Sequence, residues 1–145
     1  MNVITAVAKE VKSQSSVTAL ARIDKFKLEK EVLRTGKVAV VIGAVGSWAT
    51  EIHSAKFPRV AVRIYADPTR DVGGRKTVED AEDRAMKVWT EIDRILHRTT
   101  KARVVWGGAN GVAVLGSQRE SEPSFIEHPS EDVALLNAIY NLKIE

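Results

Sequence analysis

Hydrophobic positions change their spacing along the chain, and each change marks an element. Val3, Ile4, Val7, Ala8 and Val11 recur at helical spacing, so a short amphipathic helix is expected from about Asn2 to Ser13. Asn2 suits its N-cap, because the side chain accepts a bond from a free N–H of the first turn. The cluster Ser13-Gln14-Ser15-Ser16 breaks the pattern, and Val17 to Ile23 reads as a helical turn leading into a strand. Phe26 to Lys37 is mixed and highly charged, with no clear period. Val38 to Val45 is β-branched and almost wholly apolar, which predicts a buried strand ended by Gly43 or Gly46. Ser47 to Lys56 reads as a loop or a continued hairpin arm. The clearest strand is Arg59 to Tyr65. Its alternation puts Val60, Val62 and Ile64 on one face and Arg59, Arg63 and Tyr65 on the other. One side of the sheet is then expected to be solvated or partner-facing.

Asp67 to Lys76 contains Pro68, Gly73 and Gly74 and reads as a loop. The strongest helix signal follows. Thr77 opens a capping box with Asp80, and Ala81, Ala85, Val88, Trp89, Ile92, Ile95 and Leu96 form one apolar stripe. Acidic residues fill the first turn (Glu79, Asp80, Glu82, Asp83) and basic ones the last (Arg94, His97, Arg98), as the helix dipole favours. Arg103 to Trp106 and Val112 to Leu115 then read as two strands, with Asn110-Gly111 as the hairpin signal. Gln118 to Ser130 is polar, carries two prolines, and reads as a long connection. Leu136, Ala138, Tyr140, Leu142 and Ile144 alternate with polar residues as a final strand. The order predicts a single α+β domain over 1–145. A mixed or antiparallel sheet is packed by one long helix and a short N-terminal helix.

Length changes little in this picture. A domain of 145 residues buries roughly 70% of its unfolded surface and needs no metal or disulfide to fold. There is no cysteine, so disulfides, thiolate metal sites and a Cys–His nucleophile are excluded. The net charge of +3 is mild and the signs alternate, unlike the clustered stripe of a dedicated DNA binder. The longest apolar runs, Val38 to Ile42 and Val133 to Leu136, are too short for a membrane helix. Lys9 and Glu10 interrupt the N-terminal apolar pattern, so no signal peptide is expected.

Candidate chemistry is sparse. His53, His97 and His128 lack metal-ligand spacing, and His97 is explained by the end of a helix. Glu79, Asp80, Glu82 and Asp83 read as an acidic first turn rather than a cation site. Gly43-Ala44-Val45-Gly46 and Gly73-Gly74-Arg75-Lys76-Thr77 match no phosphate loop, and no Gly-x-Ser-x-Gly occurs. No catalytic residue, cofactor or metal is therefore expected. Trp89 lies on the apolar stripe and is expected in the core, with Trp106 partly buried beside its glycines. Trp48 is either an interface anchor or ordinary packing. Arg70, Asp71, Arg75 and Lys76 lie in the glycine-containing loop, which is either an assembly contact or a solvated connector.

The ordering resembles that of short tail terminator proteins of long-tailed bacteriophages. The residues carrying the likeness are the opening helix Val3-Ile4-Thr5-Ala6-Val7 and the strand Phe57 to Ala66. The helix Glu79 to His97 and the closing strand Leu136 to Ile144 complete it. Tyr65-Ala66-Asp67-Pro68-Thr69-Arg70-Asp71 is similar to terminators of phages infecting actinobacteria. The resemblance implies a virion protein made in the host cytoplasm and built into the tail and neck. It implies a homo-hexameric ring that caps the tail tube, stops its growth and meets head-completion and neck proteins. Genomic DNA would pass through the lumen without specific binding, no membrane would be involved, and no catalytic residues transfer. Trp48, Arg70, Asp71, Arg75 and Lys76 are then the expected assembly contacts. Two other readings remain open. One is another neck or head-closure ring. The other is a small nucleic-acid-binding regulator using Arg59, Arg63, Arg70, Arg75 and Lys76 as a basic patch.

Overall fold

A computed structural model describes residues 2–25, 38–45, 57–66, 78–100, 102–127 and 133–145. Helix α1 (Val3–Lys12) begins where expected: Asn2 Oδ1 accepts the Thr5 N–H at 2.8 Å. It ends at the serine cluster, where the Ser13 hydroxyl donates to the Glu10 carbonyl at 2.6 Å and offers the backbone an alternative to another turn. Ile4, Ala6, Val7 and Val11 are buried, and Lys9 and Lys12 sit at the C-terminal end of the dipole. One turn, α2 (Ser15–Thr18), turns Val17 inward and leads to β1 (Arg22–Lys25).

The strands β2 (Ala39–Ala44), β3 (Arg59–Ala66), β4 (Val104–Trp106), β5 (Val112–Arg119), β6 (Ser124–Ile126) and β7 (Ala134–Ile144) complete a seven-stranded mixed sheet. Its order is β1-β2-β3-β7-β5-β4, with β6 also beside β7. The β1–β2 pair is parallel and the other described pairs are antiparallel. The last strand is therefore a central one. Along one edge β7 pairs with the whole of β3, and along the other with β5 and then β6. Its start, Ala134 to Leu136, is buried on both faces, and from Leu136 onwards buried residues alternate with more open ones, as the sequence predicts. A continuous apolar run and an alternating one are thus two environments of a single strand.

Helix α3 (Val78–Leu96) lies across β7 and β3. Ala81, Ala85, Val88, Ile92 and Leu96 are fully buried against Val60, Val62, Ile64, Leu136, Ala138 and Tyr140. Ile4, Val7 and Val11 of α1 join the same core. Each buried aliphatic side chain contributes about 1.5–3 kcal/mol, so this stripe anchors the helix. The α+β architecture with one long and one short N-terminal helix is the one expected.

Several details differ from the expectation. Tyr65 falls on the polar face of β3 yet is 7% exposed, clustered with Ala39 and Leu135 and with Val41 against them. Trp89 is half-buried at the margin of the stripe, whereas Trp106 is buried. In the hairpin joining β4 to β5 the glycines with positive φ are Gly107 (93°) and Gly108 (88°), not Gly111. Gly111 is needed for a different reason: a Cβ there would collide with the Trp106 carbonyl. The polar stretch after β5 is not all connection, because Ser124–Ile126 pairs with Leu135–Asn137 of β7. Thr77 and its capping box lie outside the described residues.

Candidate functional site

A connected polar cluster among the described residues sits at the end of α3. Asp93 lies one position past the buried Ile92, so its carboxylate meets the sheet at the edge of the apolar stripe. Tyr140 of β7 donates its hydroxyl to Asp93 Oδ1 at 2.7 Å, and Arg119 of β5 donates Nη1 to Oδ2 at 2.7 Å. The cross-strand pairing Arg119↔Tyr140 brings these two donors to one carboxylate. Burial first, and then the bond to Asp93, push the Tyr140 hydroxyl well above the ordinary tyrosine value. The Arg119 guanidinium also lies over the Trp89 ring, 5.4 Å from its centroid, within cation–π range. That contact explains why Trp89 sits at the margin of the core: its face is shared with a cation. Its indole nitrogen is buried without a hydrogen-bond partner among the described residues.

His97 closes the same corner. Its Nδ1 accepts the Arg119 backbone N–H at 3.0 Å, which ties the end of α3 to β5. The next residue donates its own N–H to the Ser117 carbonyl at 2.9 Å. Both Asp93 oxygens are thus engaged by positioning donors, and the cluster joins helix to sheet. Among the described residues no three His, Asp or Glu side chains converge as metal ligands would.

The opposite face of the sheet is charged but locally balanced. Arg59 and Glu120 form a two-pronged pair, both contacts at 2.8 Å, and Arg103 pairs with Glu145 at 2.8 Å. Arg63 is exposed between Val41 and Asn137 on the neighbouring strands. Large apolar side chains also reach solvent: Phe57 is 62% exposed, and Phe125 and Ile126 are each 42% exposed. Phe57 borders a cleft of 760 Å³ that Arg98, Leu115, Ser117, Leu142 and Lys143 also line. The cleft forms where β5 is disturbed, at the register shift between Val114 and Gly116.

The expected contact residues Trp48, Arg70, Asp71, Arg75 and Lys76 all lie outside the described residues. Arg59 and Arg63, the other members of the basic patch, share a face four residues apart, and Arg59 is already neutralised. The Asp93–Arg119–Tyr140 cluster carried no sequence signal, because its members come from three distant elements. The exposed Phe125-Ile126 pair did carry one, as adjacent large apolar residues inside an otherwise polar, proline-containing stretch.

No protein family matches this sequence, and no curated protein is similar to it. Among solved structures, a chain in the virion of a native gene transfer agent particle shares the fold. The likeness has a TM-score of 0.59 and covers 99% of this chain and 95% of that one, at 9% identity. At that identity the likeness is one of fold.

Proposed function

We propose that this chain is a structural protein of a phage-like virion rather than an enzyme. Within that class we read it as a tail terminator, the ring that caps the tail tube. The observation that carries the reading is the fold likeness to a virion chain over nearly the whole of both chains. The element order that resembles phage terminators supports the finer assignment. In this reading six copies form a ring on the last ring of tail-tube protein, and head-completion or neck proteins dock above. DNA passes through the centre without being held. Pairing of Arg59, Arg103 and Arg119 with carboxylates of the same chain suits such a conduit, because a neutralised arginine releases few counterions from DNA. The protein would be made in the host cytoplasm and end in the neck of the particle, without a cofactor.

Electron microscopy of particles made with and without this chain tests the proposal. Loss of the chain should give tails of uncontrolled length that fail to join heads, and supplying it should restore both. Normal tails and normal joining in its absence would overturn the terminator reading. Binding to heads but never to tail tubes would move the chain to a head-closure ring.

A further inference from the structure

The sequence holds four asparagines, Asn2, Asn110, Asn137 and Asn141, and Asn110 alone is followed by glycine. An asparagine carboxamide is open to attack by the backbone nitrogen of the next residue when that nitrogen can reach Cγ. A side chain on the next residue hinders the approach, and glycine has none. Asn137 and Asn141 precede Ala138 and Leu142 inside β7, where both residues are paired on both edges of the strand. Asn2 precedes the β-branched Val3, and its Oδ1 is held by the Thr5 N–H.

Asn110 lies in different surroundings. It is exposed at the tip of the hairpin joining β4 to β5, and its side chain makes no hydrogen bond among the described residues. The turn from Gly108 to Gly111 is closed by the Gly111 N–H, which donates to the Gly108 carbonyl at 3.0 Å. The hairpin beneath it is slight. β4 has three residues, pairs with β5 alone among the described strands, and carries Val105 at 43% exposure. Opening the tip to free the Gly111 nitrogen breaks that turn bond and leaves the buried Trp106 and the central strands in place. Position 111 has no substitute for glycine, because a Cβ there would collide with the Trp106 carbonyl. The packing that requires glycine at 111 therefore also sets an unhindered nitrogen beside the Asn110 carboxamide.

We propose that Asn110-Gly111 is a site of spontaneous deamidation, a modification that loosens the β4–β5 hairpin with time. The Gly111 nitrogen bonds to Asn110 Cγ, the carboxamide nitrogen leaves as ammonia with the Gly111 proton, and a five-membered succinimide results. Water then adds to either ring carbonyl and opens the ring, giving aspartate or isoaspartate. Water is the one co-reactant, and nothing is oxidised or reduced. The succinimide has no N–H at position 111, so the bond to Gly108 is lost while the ring stands. Isoaspartate then carries the main chain through the side-chain carbon, one atom longer, next to a glycine without room for a Cβ. Either product adds one negative charge to a chain of net charge +3. The inference does not depend on the virion reading.

Peptide mass spectrometry of the full chain tests this. The folded protein is held at neutral and at mildly alkaline pH and digested with trypsin at intervals, with a sample digested at once as the zero. The tryptic peptide Val104 to Arg119 contains Asn110 as its single asparagine. It should gain one mass unit with time and separate into aspartate and isoaspartate forms. The gain should be faster at alkaline pH, because the attacking nitrogen must give up its proton. Peptides holding Asn2, Asn137 and Asn141 should stay unchanged. Asn110→Gln, whose longer side chain must close a larger ring, should suppress the gain. A gain that persists in that variant assigns the change to Gln118 and overturns the proposal. So does a folded chain that stays unconverted while the free peptide of the same sequence converts, because the fold then protects the site. Asn110→Asp carries the new charge without the longer main chain. It should melt with the fresh protein and above the isoaspartate fraction, and equal melting of Asn110→Asp and the isoaspartate fraction would overturn the loosening of the hairpin.

Discussion

The two faces of β3 are built from alternate residues of one strand and lie in different surroundings. Val60, Val62 and Ile64 are wholly buried under α3, whereas Arg59 and Arg63 on the other face are exposed. Tyr65 belongs to the second face by periodicity but is buried with Ala39 and Leu135. Alternation decides which side chains share a face; it does not decide what lies over that face. The buried face holds the molecule together by apolar contact, and its polar margin is closed by Asp93, Arg119 and Tyr140. The other face is held by ion pairs at its surface.

Removing β7 breaks this comparison most completely. Both faces depend on it, because it pairs with β3, β5 and β6. Truncation after Ser130 should leave β3 with an unpaired edge and an open apolar face, giving insoluble protein. A soluble truncated chain with a cooperative melt would show that β7 is dispensable.

Matched substitutions on the two faces sharpen the contrast. Ile64→Ala should cost about 2–5 kcal/mol, as truncation of a buried aliphatic residue does, while Arg63→Ala should stay within about 0.5 kcal/mol. Urea titration of both variants measures the difference. Equal costs would mean that the second face is buried throughout, not only at Tyr65.

The margin between the faces is tested at Asp93. Asp93→Ala leaves the Tyr140 hydroxyl and the Arg119 guanidinium without their acceptor. With the Arg119 and Asp93 side chains 21% and 18% exposed, the expected loss is about 2–3 kcal/mol, below that of a fully buried pair. A melting midpoint equal to that of the parent protein would show that water replaces the carboxylate. Tyr140 adds a pH signature. A tyrosine in the unfolded chain ionises near about pH 10, and Tyr140 in the fold is held higher. Below pH ~10 both states keep the proton and the stabilisation is whole. Above it the unfolded chain loses its proton first, so stability falls as pH rises. Tyr140→Phe should flatten that alkaline slope in urea titrations, and an unaltered slope would place its cause elsewhere.

The smallest effect is expected at Arg59. Its pair with Glu120 is well formed, but the two side chains are 45% and 35% exposed. Solvent screening limits such a pair to about 1 kcal/mol or less. The double-mutant cycle of Arg59→Ala with Glu120→Ala measures it, and a coupling several times larger would mean that this face is covered.

Local patterns in the sequence were enough to locate α1, β2, β3, α3 and β7, because their spacing is set by chain geometry that each residue carries with it. The same patterns placed the Asn2 cap and the inward set Val60, Val62 and Ile64. Composition was enough to exclude thiol chemistry. Tertiary structure alone decided the rest. The order of the strands sets the last one at the centre of the sheet. A tyrosine and an aspartate 47 residues apart became partners, and Arg119 settled between that aspartate and Trp89. A stretch that reads as connection supplied β6, because pairing depends on what β7 offers beside it and not on the stretch's own period. The candidate surface divides in the same way. Charge and glycine content pointed to Arg70, Asp71, Arg75 and Lys76, outside the described residues. The exposure of Phe57, Phe125 and Ile126 came only from the packing, since side chains of this kind are buried or exposed according to what the rest of the chain lays over them.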